Sequence, residues 1–281
     1  MSLGIFLLVL GAALFHAIWN ALVKGAADKW LNMTAVVIGM GSFGGLSLLI
    51  VPFPAPESWL AIAASVLLHM GYQQFLMAGY RTGDLTQVYP IARGTAPLLV
   101  AVISVLFLGV ELSRPEMLAV ALIGLGIVSL SLVRHQDGLR NPRAAASAVI
   151  TGVFIAAYSL VDGVGARVSG SPVGFFGAIA FFNGLALFII FAVWQPRLIT
   201  RLPSVARVGA LGGAASFTAY TLVVYAFTQA PIALVTALRE TSIVFALLIG
   251  VFVLKERLNL AKLVSVVVTL SGAALLRLGK G

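Results

Sequence analysis

The sequence predicts an all-α polytopic membrane protein, with ten transmembrane helices arranged as two inverted five-helix repeats around a central cavity. Three observations carry this. First, 60% of the 281 residues are hydrophobic and 10% are charged, with a mean hydropathy of +1.08. A soluble domain carries about 25% charged residues, so this much apolar surface must face lipid. Second, the apolar residues form long unbroken runs such as LAVALIGLGIVSLSLV, not the short alternating segments of a membrane β-barrel. Third, the runs recur at the roughly 20-residue length that an α-helix needs to cross a bilayer.

The spans follow in order. The first, 3–24, begins like a signal peptide, but it has no basic leader and its pattern continues through Trp19 and Leu22. It reads as a retained helix. The second, 31–51, carries Gly41 and Gly45 at a spacing suited to close helix packing and stops at Pro52–Pro56. The third, 58–80, ends at the RTGD turn, Arg81 to Asp84. The fourth, 86–108, begins Tyr89-Pro90 and carries Pro97 in mid-span. That proline removes an i to i−4 bond and is expected to bend or loosen the helix. The fifth, 115–134, runs from ELSRPE to HQDGLRNP. The second half supplies 144–167, 172–193 (ending at WQPR), 205–228, 231–254 (from Ala230-Pro231 to KERLN) and 259–278. No connection is long enough for a soluble domain.

Other totals narrow the chemistry. Cysteine is absent, which removes disulfides and thiolate metal sites. A net charge of +9 would suggest a nucleic-acid partner in a soluble protein; here the basic residues sit in short loops, as topology signals do, and no nucleic acid is expected. Twelve of the eighteen Lys and Arg fall in loops on one side: Lys24, Lys29, Arg81, Arg134, Arg140, Arg143, Arg197, Arg201, Arg207, Lys255, Arg257 and Lys262. Arg114, Arg167, Arg277 and Lys280 lie on the other, which puts both termini outside the cytoplasm of a multi-pass protein of the inner membrane. No GxxxxGK[ST], HExxH or GxSxG is present, so ATP-driven pumping, proteolysis and lipolysis have no motif to run on, and an enzyme is not expected. No cofactor and no metal are expected either.

The halves match. A shift of 146 residues aligns Arg93 with Arg239, Thr95 with Thr241 and Gly126 with Gly272; a shift of 139 aligns Phe15 with Phe154 and Trp19 with Tyr158. Apolar repeats always look somewhat alike, but two intramembrane arginines in register are not accounted for that way. Five helices per half force the second half, 139–281, to insert upside down relative to the first, 1–138. Inverted repeats of this kind build secondary transporters with a midplane site.

VYPIARGTAPLLVAVISVLFLGVELSRPE and its counterpart APIALVTALRETSIVFALLIGVFVLKERL, each an apolar helix leading to a glutamate (Glu111, Glu256), resemble the drug/metabolite transporter superfamily, EamA type. The resemblance covers nearly the whole chain. It implies ten helices around a central cavity with the last helix of each half peripheral, and transport of solutes that range from amino acids to nucleotide sugars and phosphorylated metabolites.

Arg93 and Arg239 are the strongest chemical signal, since a span arginine costs at least about 2.5 kcal/mol and must find water, a partner or a ligand. Each lies some 10 Å into its helix at 1.5 Å per residue. Entering from opposite faces, two guanidinium forks could converge on a carboxylate, phosphate or sulfonate. The alternative is an inter-helix salt bridge with Glu240 or Asp162. Glu240 follows Arg239 directly, diverging from it by about 100° on a helix, and its counterpart is Gly94. Glu240 and Asp162 are proton-coupling candidates, and Asp162 could instead meet a substrate ammonium. His16 and Asn20 form one polar stripe beside Trp19, and His69 and Gln73 another; both are expected to face the cavity. A lone histidine is more often a hydrogen-bonded packing residue than a proton carrier. Trp19, Tyr158 and Tyr220 are candidate aromatic lining, deep enough to meet a solute, and Tyr89 is a further candidate at its span's start.

The expected function is secondary transport by alternating access, with export of a small anionic or zwitterionic metabolite such as an amino acid. The alternatives are uptake or exchange of an organic anion, a phosphonate or a phosphorylated metabolite, and a passive solute channel. Expected partners are the solute, membrane lipid and protons. The duplication supplies internally what pairing would supply a shorter chain, so a monomer or weak homodimer is expected.

Overall fold

Prolines, a glycine and two side-chain caps set where the helices start and stop. Asp28 caps α2 by accepting the Leu31 N–H at 3.0 Å, and Ser171 caps α7 by accepting the Gly174 N–H, with Pro172 in the first turn. Gly170, at φ +66°, takes the left-handed conformation that turns the chain between α6 and α7. The computed structural model describes residues 1–24, 26–82, 85–129, 142–253 and 260–278, and these are helical with no strand. The helices are α1 (Leu3–Lys24), α2 (Lys29–Ser47), α3 (Trp59–Thr82), α4 (Leu85–Phe107), α5 (Arg114–Ser129), α6 (Pro142–Val168), α7 (Pro172–Trp194), a short α8 (Pro196–Arg201), α9 (Ala206–Gln229), α10 (Ile232–Arg239), α11 (Ser242–Phe252) and α12 (Leu260–Leu278).

Ten of the expected spans are present within a few residues, α10 and α11 together making the ninth. Among the described residues, six helical stretches are long and apolar enough to cross a bilayer. Leu7, Leu60, Leu67, Leu106, Ile189 and Leu211 stand exposed on the outside, as a lipid-facing surface requires.

Packing follows an approximate two-fold relation between the halves. α3 lies on α6 as α9 lies on α1, and α4 meets α6 as α10 and α11 meet α1. α2 packs on its own counterpart α7, and α5 on its counterpart α12. Glycines permit both self-related crossings. A Cβ on Gly41 would stand 2.9 Å from the Gly184 Cα, and one on Gly272 would stand 2.9 Å from the Ala119 carbonyl oxygen. The Gly41/Gly45 spacing does pack α2 against α7, with Gly45 against Phe181. At one end, Arg201 Nη2 donates to Asp28 Oδ2 at 2.9 Å; at the other, the Ala55 N–H donates to the Ser169 carbonyl at 2.9 Å. Each contact ties the first half to the second. The boundary at 138/139, Arg134, Arg140, Lys255, Glu256, Arg257 and Lys280 lie outside the described residues, as do the side chains of Lys24, Lys29, Arg81 and Lys262.

α4 runs as a single helix through Pro90 and Pro97. An interruption falls instead in the counterpart span, where α10 ends at Arg239 and α11 begins at Ser242. One missing N–H is tolerated where α4 is held by α5 and α6 on its flanks. In the ninth span the N–H groups of Glu240, Thr241, Ile243 and Val244 each bond the carbonyl three residues back, so the α ladder gives way to tight turns.

Candidate functional site

The break between α10 and α11 positions the charged cluster. Arg93 reaches from α4 across the junction of the halves. Its Nε lies 2.8 Å from Glu240 Oε2, and its Nη2 donates to Ser242 Oγ at 3.3 Å. Arg239 Nη2 stands 3.7 Å from the other oxygen, Glu240 Oε1. A regular helix would splay Arg239 and Glu240 apart; the tight turn lets both approach one another and lets both arginines face one carboxylate. Arg93 is 7% exposed, Arg239 3% and Glu240 1%, so the group is closed off from solvent. The salt bridge weighed as the alternative for Arg93 is therefore formed, with Glu240 as its acid.

The pairing is uneven. Arg239 Nε and Nη2, and Glu240 Oε1, have no hydrogen-bond partner among the described residues. Buried guanidinium nitrogens seldom go without an acceptor. The Arg239 guanidinium carbon also sits 5.7 Å from the Tyr220 ring centroid, a cation–π distance.

Tyr220 links this group to a second one. Its hydroxyl donates to Asp162 Oδ2 at 2.7 Å. Asp162 is fully buried on α6, and its Oδ1 has no hydrogen-bond partner among the described residues. His69 stacks on Tyr158 with ring centroids 4.0 Å apart and meets Tyr220 edge-on at 5.9 Å. The Ser65 carbonyl, 2.9 Å from His69 Nδ1, can only accept, so the hydrogen-bond network places the imidazole proton on Nδ1. Phe176, 4.8 Å from Tyr220 between centroids, closes the aromatic wall.

Of the sequence candidates, Arg93, Arg239, Glu240, Asp162, Tyr158, Tyr220 and His69 are brought together. His16 lies on α1 within the electrostatic reach of both arginines and edge-on to Trp19 at 5.2 Å. Asn20 is spent on its own helix, donating to the His16 carbonyl at 2.7 Å. Gln73 borders a small groove with Trp30, Thr34 and Phe191. The side chain of Tyr89 lies outside the described residues. Ser242 and Ser65, which serve Arg93 and His69, were not expected; a serine in a span is ordinary helix–helix glue and gives no signal of its own. The spacing of Ser65 to His69, one turn, was the only sign of it.

Ten helical spans in two inverted halves, with opposite charges buried where the halves meet, define a membrane transporter of the inverted-repeat class. The profile of the EamA-like transporter family matches residues 3–132 and again 143–278, and the chain belongs to that family. Among solved structures, one described only as "Crystal structure of protein" is similar over 98% of this chain and 96% of its own, with a TM-score of 0.74 at 17% identity. That likeness concerns the fold alone. No curated protein matches the chain at a significant level.

Proposed function

We propose that the protein is a secondary active transporter that exports a small zwitterionic or anionic metabolite, such as an amino acid, by alternating access. The observation that carries this reading is the buried guanidinium of Arg239, two of whose nitrogens lack acceptors, facing Arg93 across the junction of the halves. Paired forks of this kind bind a carboxylate in two-point fashion. In this reading Arg93 and Arg239 take the solute's acid group and Asp162, beside Tyr220, takes its ammonium. Tyr158, Tyr220, His69, Tyr89, Trp19 and His16 surround its body, with Asn20 and Gln73 one turn from the two histidines. Glu240 and Asp162 are the groups through which protons would couple to transport.

Charge balance favours a zwitterion over an organic anion or phosphonate. Two arginines face two buried carboxylates, so the cluster is neutral, and a zwitterion leaves it neutral. The closed packing around the arginines disfavours a passive channel. The two halves, divided at 138/139, would rock against each other in an inner membrane with both termini outside the cytoplasm, in a monomer or weak homodimer.

Counterflow into proteoliposomes, screened over amino acids and organic anions, tests the reading. Saturable counterflow of at least one such solute is expected from the native protein, and loss of it, by about a hundredfold or more, from Arg239→Gln that still folds, since a bidentate charged contact is worth about 3 kcal/mol. Counterflow retained at native rates in that variant would reject the role of Arg239.

A further inference from the structure

We propose that Glu240 is a tethered occupant of the acid-binding site, holding between Arg93 and Arg239 the place that a solute carboxylate takes, and that it swings out on the α10–α11 turn when the solute arrives. This rests on the function proposed above and names what keeps its site shut.

Three observations support it. The first is the uneven fit. One oxygen of Glu240 is 2.8 Å from Arg93, while the other stands 3.7 Å from Arg239 with no hydrogen-bond partner among the described residues. A side chain tied to the backbone beside Arg239 cannot square itself to both forks, whereas a free carboxylate can. An occupant that leaves donors on Arg239 unused is one that a better-fitting acid displaces.

The second is the placement of Glu240 on the one break in the membrane helices of the described residues. The N–H groups of Glu240 and Thr241 bond to Ala237 and Leu238 three residues back, and Thr241 Oγ1 bonds to the Leu238 carbonyl at 2.7 Å. The chain here is already free of the α ladder, so a few dihedrals can carry the carboxylate aside without unwinding a helix.

The third is its one-sidedness. The counterpart, Gly94, sits in an unbroken α4 pressed on α5, where a Cβ would stand 2.7 Å from the Gly124 carbonyl oxygen. The first half has no room for a side chain at this point, so a single tethered acid serves both arginines. A zwitterion brings no net charge, so the displaced carboxylate, once parted from Arg93, needs only a new partner of its own, which a proton or the solute's ammonium supplies.

The occupant can be removed and replaced from outside. In purified Glu240→Ala protein, acetate is expected to restore most of the lost melting temperature, relative to chloride at matched ionic strength. The restoration should vanish in the Arg239→Gln/Glu240→Ala double variant. Acetate giving no restoration, or the same in single and double variants, would overturn the proposal, because a sealed structural ion pair offers no entry and an unspecific salt effect needs no arginine. Should Glu240→Ala fail to fold even when purified in acetate, the native protein decides. Acetate should then speed amide hydrogen exchange in the peptide around Glu240–Ser242 relative to chloride, and unchanged exchange rejects the swing. Counterflow is read separately on the native protein. Rescue without solute flux would keep the occupant and reject transport, and flux without rescue would do the reverse.

Discussion

α4 and the α10–α11 pair descend from the same repeat unit and carry the same arginine, yet they use it differently. Arg93 and Arg239 align, as do Thr95 and Thr241, but Gly94 stands where Glu240 does. In α4 the glycine lets the helix lie flat on α5 and continue through two prolines. In the ninth span the glutamate sits in a tight turn, and its carboxylate crosses to the arginine of the other half. A single substitution between repeats thus converts a packing position into the counter-ion of the site. Symmetry supplied two cations; the departure from symmetry supplied the acid between them.

The comparison is broken most severely by removing the arginines one at a time. Arg93→Leu takes away the 2.8 Å partner of a carboxylate that is 1% exposed and is expected to cost on the order of 3–5 kcal/mol of stability. Arg239→Leu removes a contact at 3.7 Å and nitrogens without hydrogen-bond acceptors, so its cost should be distinctly smaller. Thermal melts of the two purified variants side by side check the ranking. Equal losses would mean that the two arginines are interchangeable and that the asymmetry carries no energy.

Next in size is Gly94→Ala, which tests why the first half has no acid of its own. The added methyl would meet the Gly124 carbonyl at 2.7 Å and a Val128 methyl at the same distance. Backbone cannot step aside as a flexible side chain can, so overpacking of about 1–3 kcal/mol is expected despite alanine's better helix propensity. A melting temperature at or above the native one would show that α4 and α5 can part at this point, and that the glycine has another explanation.

How much of this was visible in the sequence depends on what kind of force makes each feature. The spans were legible because lipid imposes length and composition on every helix, and their ends because Pro52, Pro56 and Pro196 act locally. The two arginines were legible because charge in a span is rare. The break at Glu240 was not. Residues 232–249 contain neither proline nor glycine, and the group that the turn meets, Arg93, lies nearly 150 residues away. The eye goes to Pro97 instead, in a helix that continues through it. For Asn20 and Gln73 the face was legible but the contacts were not: the Asn20 amide bends back to the His16 carbonyl, and Gln73 borders a groove with Trp30 and Phe191. Periodicity fixes a face, not a destination.

The smallest effect belongs to the other ion pair that joins the halves. Arg201 and Asp28 meet at 2.9 Å, about as close as Arg93 and Glu240, but their side chains are 57% and 38% exposed. Water competes for both charges, so burial and not distance separates the two pairs in energy. The pair nonetheless has a pH signature that can be read alone. The Leu31 N–H, and after it the Arg201 guanidinium, hold the Asp28 carboxyl below the usual aspartate range. The folded protein therefore binds this proton less readily than the unfolded chain does. The contribution is complete above the ordinary aspartate range and is lost as pH falls through the lowered value. Asp28→Asn keeps a capping oxygen for α2 and removes only the charge. Its melting temperature should fall slightly below the native one at neutral pH and low salt, with the gap closing both at acid pH and in high salt. A gap that stays constant from neutral to strongly acid pH would show that the contact acts through shape and not charge.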